Sequence, residues 1–405
     1  MHARNVFDPN DFQGSDSARI AQALAAAAAR HGTVRITRRD DADGRAAWLI
    51  DEAILLPGNL TLIIDNCTIQ LSDQARDNFI RSANCGIGIA DVEPIENLHI
   101  LGVGNAVLLG AEHPRATGDA AKTLGIRSYG TDAGRPGEKQ TGDWRNIGIL
   151  LARVHHFTIE NLLIREAHSW AISLEQCTRG VIRNLSFHAT ERRIIDGVPQ
   201  TILNQDGLDL RAGCRDILID TLTGVTGDDL LALTGICLKD SPAGTLDHGV
   251  SGGRFRAPAN DIQNIIIRNV IGYSAAGHHI VRFLNTAGLC MRNIVLDGLI
   301  DTSPETVTDH AAIRIGDAQP AWGGVTPLGD TSGFQIRNVF SKARSAILVG
   351  GSLCDSVIDG VFNANPEGVA LNLLSGAEYF QRVDVAHVRD VARKPAAVEV
   401  AHTKA

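Results

Sequence analysis

Three carboxylates stand at the edges of two short apolar runs. Asp206 lies in NQDGLDL (204–210), and Asp228 and Asp229 open GDDLLAL (227–233), so 228 − 206 = 22 residues separate the two motifs. If the chain repeats at that interval, all three gather on one face. Clustered carboxylates repel one another and some are pushed up in pKa, so stability gives no reason to keep them together. Chemistry does. Splitting a glycosidic bond needs one acid to protonate the leaving oxygen and one base to activate water. An inverting site holds those two groups ~6.5–9.5 Å apart. Asp206, Asp228 and Asp229 are therefore the catalytic candidates.

Further polar residues recur downstream in step with this pair. AAGHHIV carries His278 and His279, with Arg282 just beyond, and AAIRIGD carries Arg314. Asp, Asp-Asp, His and Arg thus appear in order on what read as four consecutive units. His278 joins the catalytic candidates. Asn204, His279, Arg282 and Arg314 are candidates for holding substrate. Asp209 reads as turn chemistry, since Asp and Asn tolerate left-handed backbone and bond locally.

The elements that must position these residues are short strands. From about residue 145 the chain repeats an alternating strand, an Asn/Asp/Gly step and a second apolar strand: HHFTIENLLIREAHSWAISL, then CRDILIDTLTGVTGDDLLAL, then IQNIIIRNVIGYSAAGHHIVRFL. Units of ~20–25 residues are too short for a strand–helix–strand crossover and stack as a solenoid. The expected fold is all-β, a right-handed parallel β-helix forming one domain over 1–405. DSARIAQALAAAAARHG predicts an N-terminal helix, with Asp16 or Ser15 as cap and Gly32 as its stop. That helix, within a cap of about residues 1–35, covers the open first coil. Two polar, Gly-rich stretches, 113–144 and 237–261, break the period and read as loops on one face.

Composition excludes several classes. The 405 residues are 44% apolar but only 4% aromatic, with 41 glycines, which suits many small similar layers. Net charge is −8 with no basic run, which argues against nucleic acid as partner. The seven cysteines are widely spaced without a CxxC pair, so buried thiols are expected and no metal or other cofactor. No apolar run reaches the ~20 residues of a membrane span. The opening MHARNVFDPNDFQG lacks the apolar stretch of a secretory signal, and a cytoplasmic location is the expectation. The sequence leaves oligomeric state open. Trp170 reads as packed, His155 and His156 as structural, and Arg192 and Arg193 as solvated turn charges.

The motifs NQDGLD, GDDLLAL, GHH and RIG together resemble glycoside hydrolase family 28, the polygalacturonases and related pectin hydrolases, and the likeness spans most of the chain. The resemblance implies an inverting hydrolase of an α-linked uronate- or rhamnose-containing oligo- or polysaccharide, working without metal. It implies Asp228 as general acid, Asp206 and Asp229 holding and deprotonating the water, and Asn204 orienting Asp206. His278 would support the acid and Arg314 would bind the sugar. The pattern is not complete: Gly316 stands where the family has its Lys, and His279 where it has a second Gly. Two other readings stay open. One is a polysaccharide lyase, epimerase or other glycan-acting enzyme on the same fold. The other is a β-helix that binds carbohydrate without catalysis.

Overall fold

Each turn of the chain lays its strands beside those of the turn before. The computed structural model describes residues 5–40, 43–86, 89, 92–114, 139–140, 144–236, 245–246, 258–304, 310–320, 324–391 and 398–400. Among these, two long sheets of 15 and 11 strands run up the molecule, and every pairing within them is parallel. Along the 11-stranded sheet the strands follow chain order, from Ile54–Leu56 to Val398–Val400. That order, with parallel neighbours one turn apart, defines a right-handed parallel β-helix.

The core is a set of aliphatic ladders. Ile172, Leu208, Leu231, Val281, Ile313, Ile347 and Leu371 are successive partners in one row. All seven are 0% exposed. Rungs ~4.8 Å apart bring each aliphatic chain against the next, which suits a sequence poor in aromatics. The neighbouring positions on the same strands point outward by alternation. Ser173, Asp209, Ala232, Arg282 and Arg314 form that outer row.

The Asn/Asp/Gly steps of the sequence are the corners of the coil. Asn161, Asn184, Thr221, Asn269, Gly298 and Asn338 sit at equivalent points of successive turns, all with positive φ, from +51° at Asn184 to +91° at Gly298. Left-handed backbone turns each strand, and Asn accepts it more readily than most residues. Side chains stack up the corner as well: Asn184 Nδ2 donates to Asn161 Oδ1 at 3.0 Å.

The helix spans Asp16–Ala28, with Ser15 as its cap. Ser15 Oγ accepts the Ala18 N–H at 3.3 Å. Asp16 does other work. It is buried, and its carboxylate accepts from Arg39 Nε at 3.0 Å and from the Leu49 N–H at 2.8 Å. Gly32 is not the helix stop; His31 takes the left-handed conformation there, at φ 47°. Ile20, Ala23, Leu24 and Ala27 face the first coil and join the same core as Val34, Ile36 and Leu62.

The two loop expectations, 113–144 and 237–261, fall mostly outside the described residues, as do Cys237, Asp247, His248 and Arg254. What is described links them: Lys139–Gln140 pairs in parallel with Thr245–Leu246. The six described cysteines form no disulfide, and five of them are buried. A hairpin, Arg192–Ile195 against Val198–Thr201, is antiparallel and stands off the coil just before the first carboxylate motif.

Candidate active site

The predicted carboxylates converge, with a register one residue different from the sequence interval. Leu208 pairs with Leu231, a step of 231 − 208 = 23. Asp206 therefore stacks on Asp229 rather than on Asp228. The backbone confirms it, because the Gly207 N–H donates to the Asp229 carbonyl at 2.9 Å. One coil further, the Leu230 N–H donates to the His279 carbonyl at 3.2 Å. Trp170, Asp206, Asp229 and His279 thus make one vertical row, and Asp228 and His278 make the row beside it.

Gly227 and Gln205 fix the turn that carries the Asp pair. Gln205 is fully buried; its Nε2 donates to the Ala167 carbonyl at 2.7 Å and its Oε1 accepts the Glu191 N–H at 2.8 Å. Its backbone carbonyl accepts the N–H groups of Gly227, at 3.0 Å, and Asp228, at 3.2 Å. A Cβ on residue 227 would lie 2.7 Å from the Glu191 nitrogen and 2.9 Å from Gln205 Oε1. Only glycine lets the two coils close here.

The environments of the three acids differ. Asp229 is 2% exposed. Burial alone would push it up, but His279 Nδ1 at 2.8 Å, the His279 backbone N–H at 2.9 Å and Arg282 at 3.8 Å hold it below the usual carboxylate range. Asp228 is pushed up to about 7, first by burial and then by the charge of Asp229, against the opposing pull of His278. Its Oδ1 lies 3.3 Å from His278 Nδ1, which is itself solvent-exposed. Burial and the charge of Asp228 also raise Asp206 well above the carboxylate range. Asp206 Oδ2 is buried and has no hydrogen-bond partner among the described residues. Below about 7 the site thus holds Asp229 as the anion beside Asp228 and Asp206, whose carboxyls keep their protons, the separation acid–base chemistry requires.

Both histidines serve, in different ways. His278, the one expected to support the acid, does lie against Asp228. His279, expected only to hold substrate, is 4% exposed and fixes Asp229. His278 stacks on His310, ring centroids 5.9 Å apart at 5°. Asn204 sits at φ 55°. Among the described residues its side chain makes no hydrogen bond to Asp206; the turn there is fixed by its buried neighbour Gln205.

Arg282 and Arg314 are adjacent partners in the outer row. Asp317, three residues past Arg314, is buried beneath both: its Oδ2 lies 2.9 Å from Arg314 Nη2 and 3.3 Å from Arg282 Nη2. Gly316 has φ 69°, and a Cβ there would lie 2.5 Å from Gly351 Cα. Two backbones meet at that point, which explains why no lysine occupies it.

Sequence reasoning missed Asp209, Gln205, Asp317 and His310. Asp209 was legible: with Leu208 and Leu210 in the core, Asp209 and Arg211 must point out onto the site face. Asp209 is 2% exposed and raised well above the carboxylate range, by burial against the opposing pull of Arg211. Trp170 is packed as expected, under the Arg211 guanidinium at 5.1 Å. For a metal, Asp228, Asp229 and His278 each bring one ligand atom within 4.8 Å of the others, a spacing a divalent cation accepts. Asp229 Oδ1 already accepts two hydrogen bonds from His279, so a cation there would compete with that histidine for it.

No family model matches the chain, and no curated protein matches it. Solved structures do. The chain is similar to a hyperthermoactive exopolygalacturonase from Thermotoga maritima at 14% identity, over 95% of this chain and 93% of that one, with a TM-score of 0.56. It is similar also to an endo-xylogalacturonan hydrolase from Aspergillus tubingensis at 13% identity, over 98% and 95%, with a TM-score of 0.53. The chain shares their fold. Identity this low speaks for the β-helix and leaves the chemistry to the site.

Proposed function

We propose that this protein is an inverting glycoside hydrolase acting on an α-linked bond in a pectin-like oligo- or polysaccharide. One observation carries the reading: three neighbouring carboxyls on adjacent coils, with Asp206 stacked over Asp229, held in opposite protonation states by their surroundings. Asp228, near 7 and within reach of solvent, donates the proton to the leaving oxygen, with His278 beside it. Asp229, held as the anion by His279, accepts the proton of the attacking water, and Asp206, protonated and with its Oδ2 unpartnered, helps hold that water in place. Arg282 and Arg314 border the carboxylates and meet the sugar. The fold is also that of an exopolygalacturonase and an endo-xylogalacturonan hydrolase, which makes galacturonan-type chains the first substrates to test. No metal takes part in this scheme.

The test is incubation of the protein and its Asp228→Asn variant with pectic and neutral α-linked oligosaccharides. Reducing ends, ultraviolet absorbance and product anomer are read together. New reducing ends of inverted anomer, unaffected by EDTA and at least ~10²-fold slower in the variant, support the proposal. Ultraviolet-absorbing product means an eliminating enzyme, and cleavage lost with EDTA means that Asp228, Asp229 and His278 serve a cation.

A further inference from the structure

The arginine pair beside the carboxylates carries its own counter-ions. Arg282 reaches Asp229 at 3.8 Å and Asp317 at 3.3 Å, and Arg314 reaches Asp317 at 2.9 Å. Among the described residues, two cations therefore face two anions, and Asp317 lies buried beneath both guanidiniums at 3% exposure. Asp317 is itself fixed, since its Oδ1 accepts the Gln319 N–H at 2.9 Å. It occupies the place on these two arginines that an arriving carboxylate would otherwise take, because Arg binds carboxylate best through donors still open to it. A sugar carboxylate seated here would bring a third negative charge to two positive ones, next to Asp209, Asp206 and Asp228. Partly buried charge imbalance of this kind is costly. Guanidinium edges already neutralised still donate to hydroxyl oxygens, which need no compensating charge.

From this geometry we propose that Asp317 is a specificity-determining residue, and that the sugar bound over Arg282 and Arg314 is neutral, presenting hydroxyls and no carboxylate. This deepens the hydrolase reading and rests on it for the place of the sugar. It assigns to the pectin-like chain a neutral residue at the position adjoining the reacting bond. Nothing in this arrangement restores a uronate site by way of position 316, because Gly351 backbone stands against it.

The test compares two probes that differ only in charge. One is the α-1,4-linked trisaccharide of galacturonic acid. The other is the α-1,4-linked galactose trisaccharide, with a hydroxymethyl in each carboxylate's place. Wild-type protein and Asp317→Asn are titrated with each by calorimetry and assayed for cleavage. The wild type should bind the neutral probe more tightly. Asp317→Asn, which keeps an acceptor for Gln319 but removes one negative charge from the arginine pair, should move the ratio toward the acid by on the order of tenfold. A wild type that prefers the acid, a ratio unmoved in the variant, or no binding of either probe overturns the proposal. If the variant does not fold, the wild-type ratio decides alone. Cleavage of the acid in preference to the neutral probe refutes neutral-sugar specificity and leaves the hydrolase standing. Selective neutral binding without any cleavage does the reverse.

Discussion

Asp228 and Asp229 are neighbours in sequence, yet one is pushed up to about 7 and the other held below the carboxylate range. The difference comes from the next coil. His279 gives Asp229 a ring nitrogen and a backbone N–H, whereas Asp228 has burial and a negative neighbour with one exposed histidine alongside. If Asp228 is the proton donor, kcat/KM should be full below about 7 and fall as pH rises through that value, and a pH–rate profile measures it. An alkaline limb that lies elsewhere removes Asp228 from the donor's role. The same shift acts on stability. A carboxyl raised in the folded state keeps its proton where the unfolded chain has lost it, so its contribution is present below ~4 and is lost as pH climbs to about 7. Asp228→Asn is thereby expected to melt with the wild type at pH 4 and above it at pH 8, by ~1–3 kcal/mol. Thermal scans at the two pH values decide the sign. Residue types announced this cluster, because three acids at coil spacing are hard to read as structure. The protonation states were not legible, since they depend on which histidine lands under which acid, and a one-residue register shift exchanges them.

Turns and corners, at the scale of elements, decide what the strands can present. The short Asn/Asp/Gly steps were legible as breaks, and their positive φ values explain why those residue types recur. The register was not, because interval counting between motifs assumes equal turns. The turn from Asp206 to Asp229 takes 23 residues, while the step from Leu231 to Val281 spans 281 − 231 = 50. Insertions of that size are free to grow on a solenoid, where only the strands must align. One tight element is the strand end at Gly316. Its left-handed backbone and its contact with Gly351 leave no room for a side chain. Gly316→Lys is therefore expected to destabilise the protein by ~2–4 kcal/mol, from strained backbone and overpacking together. Denaturant titration measures it. A variant as stable as the wild type would show that the two backbones separate readily, and would reopen position 316 as a place for a cation.

On the scale of the whole molecule, the site depends on a stack that cannot begin without its cap. The catalytic candidates lie on three successive turns, bearing Leu208–Arg211, Leu231–Gly235 and Val281–Asn285, and Arg314 lies on the next. No turn buries its own apolar face; each uses the one before. The first has no predecessor, and the helix Asp16–Ala28 takes that place, with Ile20 at 2% and Leu24 at 6% exposure against the first coil. Asp16 anchors it, in a buried ion pair with Arg39 and through a hydrogen bond from the Leu49 N–H of the strand beginning at Trp48. The helix was legible as a cap because an Ala-rich amphipathic segment precedes a run of strands. The anchor was not, because Asp16 reads as a helix-capping residue until Arg39 is seen to reach it. Ile20→Asp puts an unpaired charge between helix and coil, with an expected cost of ~3–5 kcal/mol. If the helix is what closes the stack, the variant exposes the first coil's core and strand edges and associates through them. Size-exclusion chromatography with light scattering should then show oligomers or loss of soluble protein. A monomeric variant with wild-type far-ultraviolet dichroism would mean that the first coil holds without its cover, and that the cap contributes little to a stack already stable from its centre.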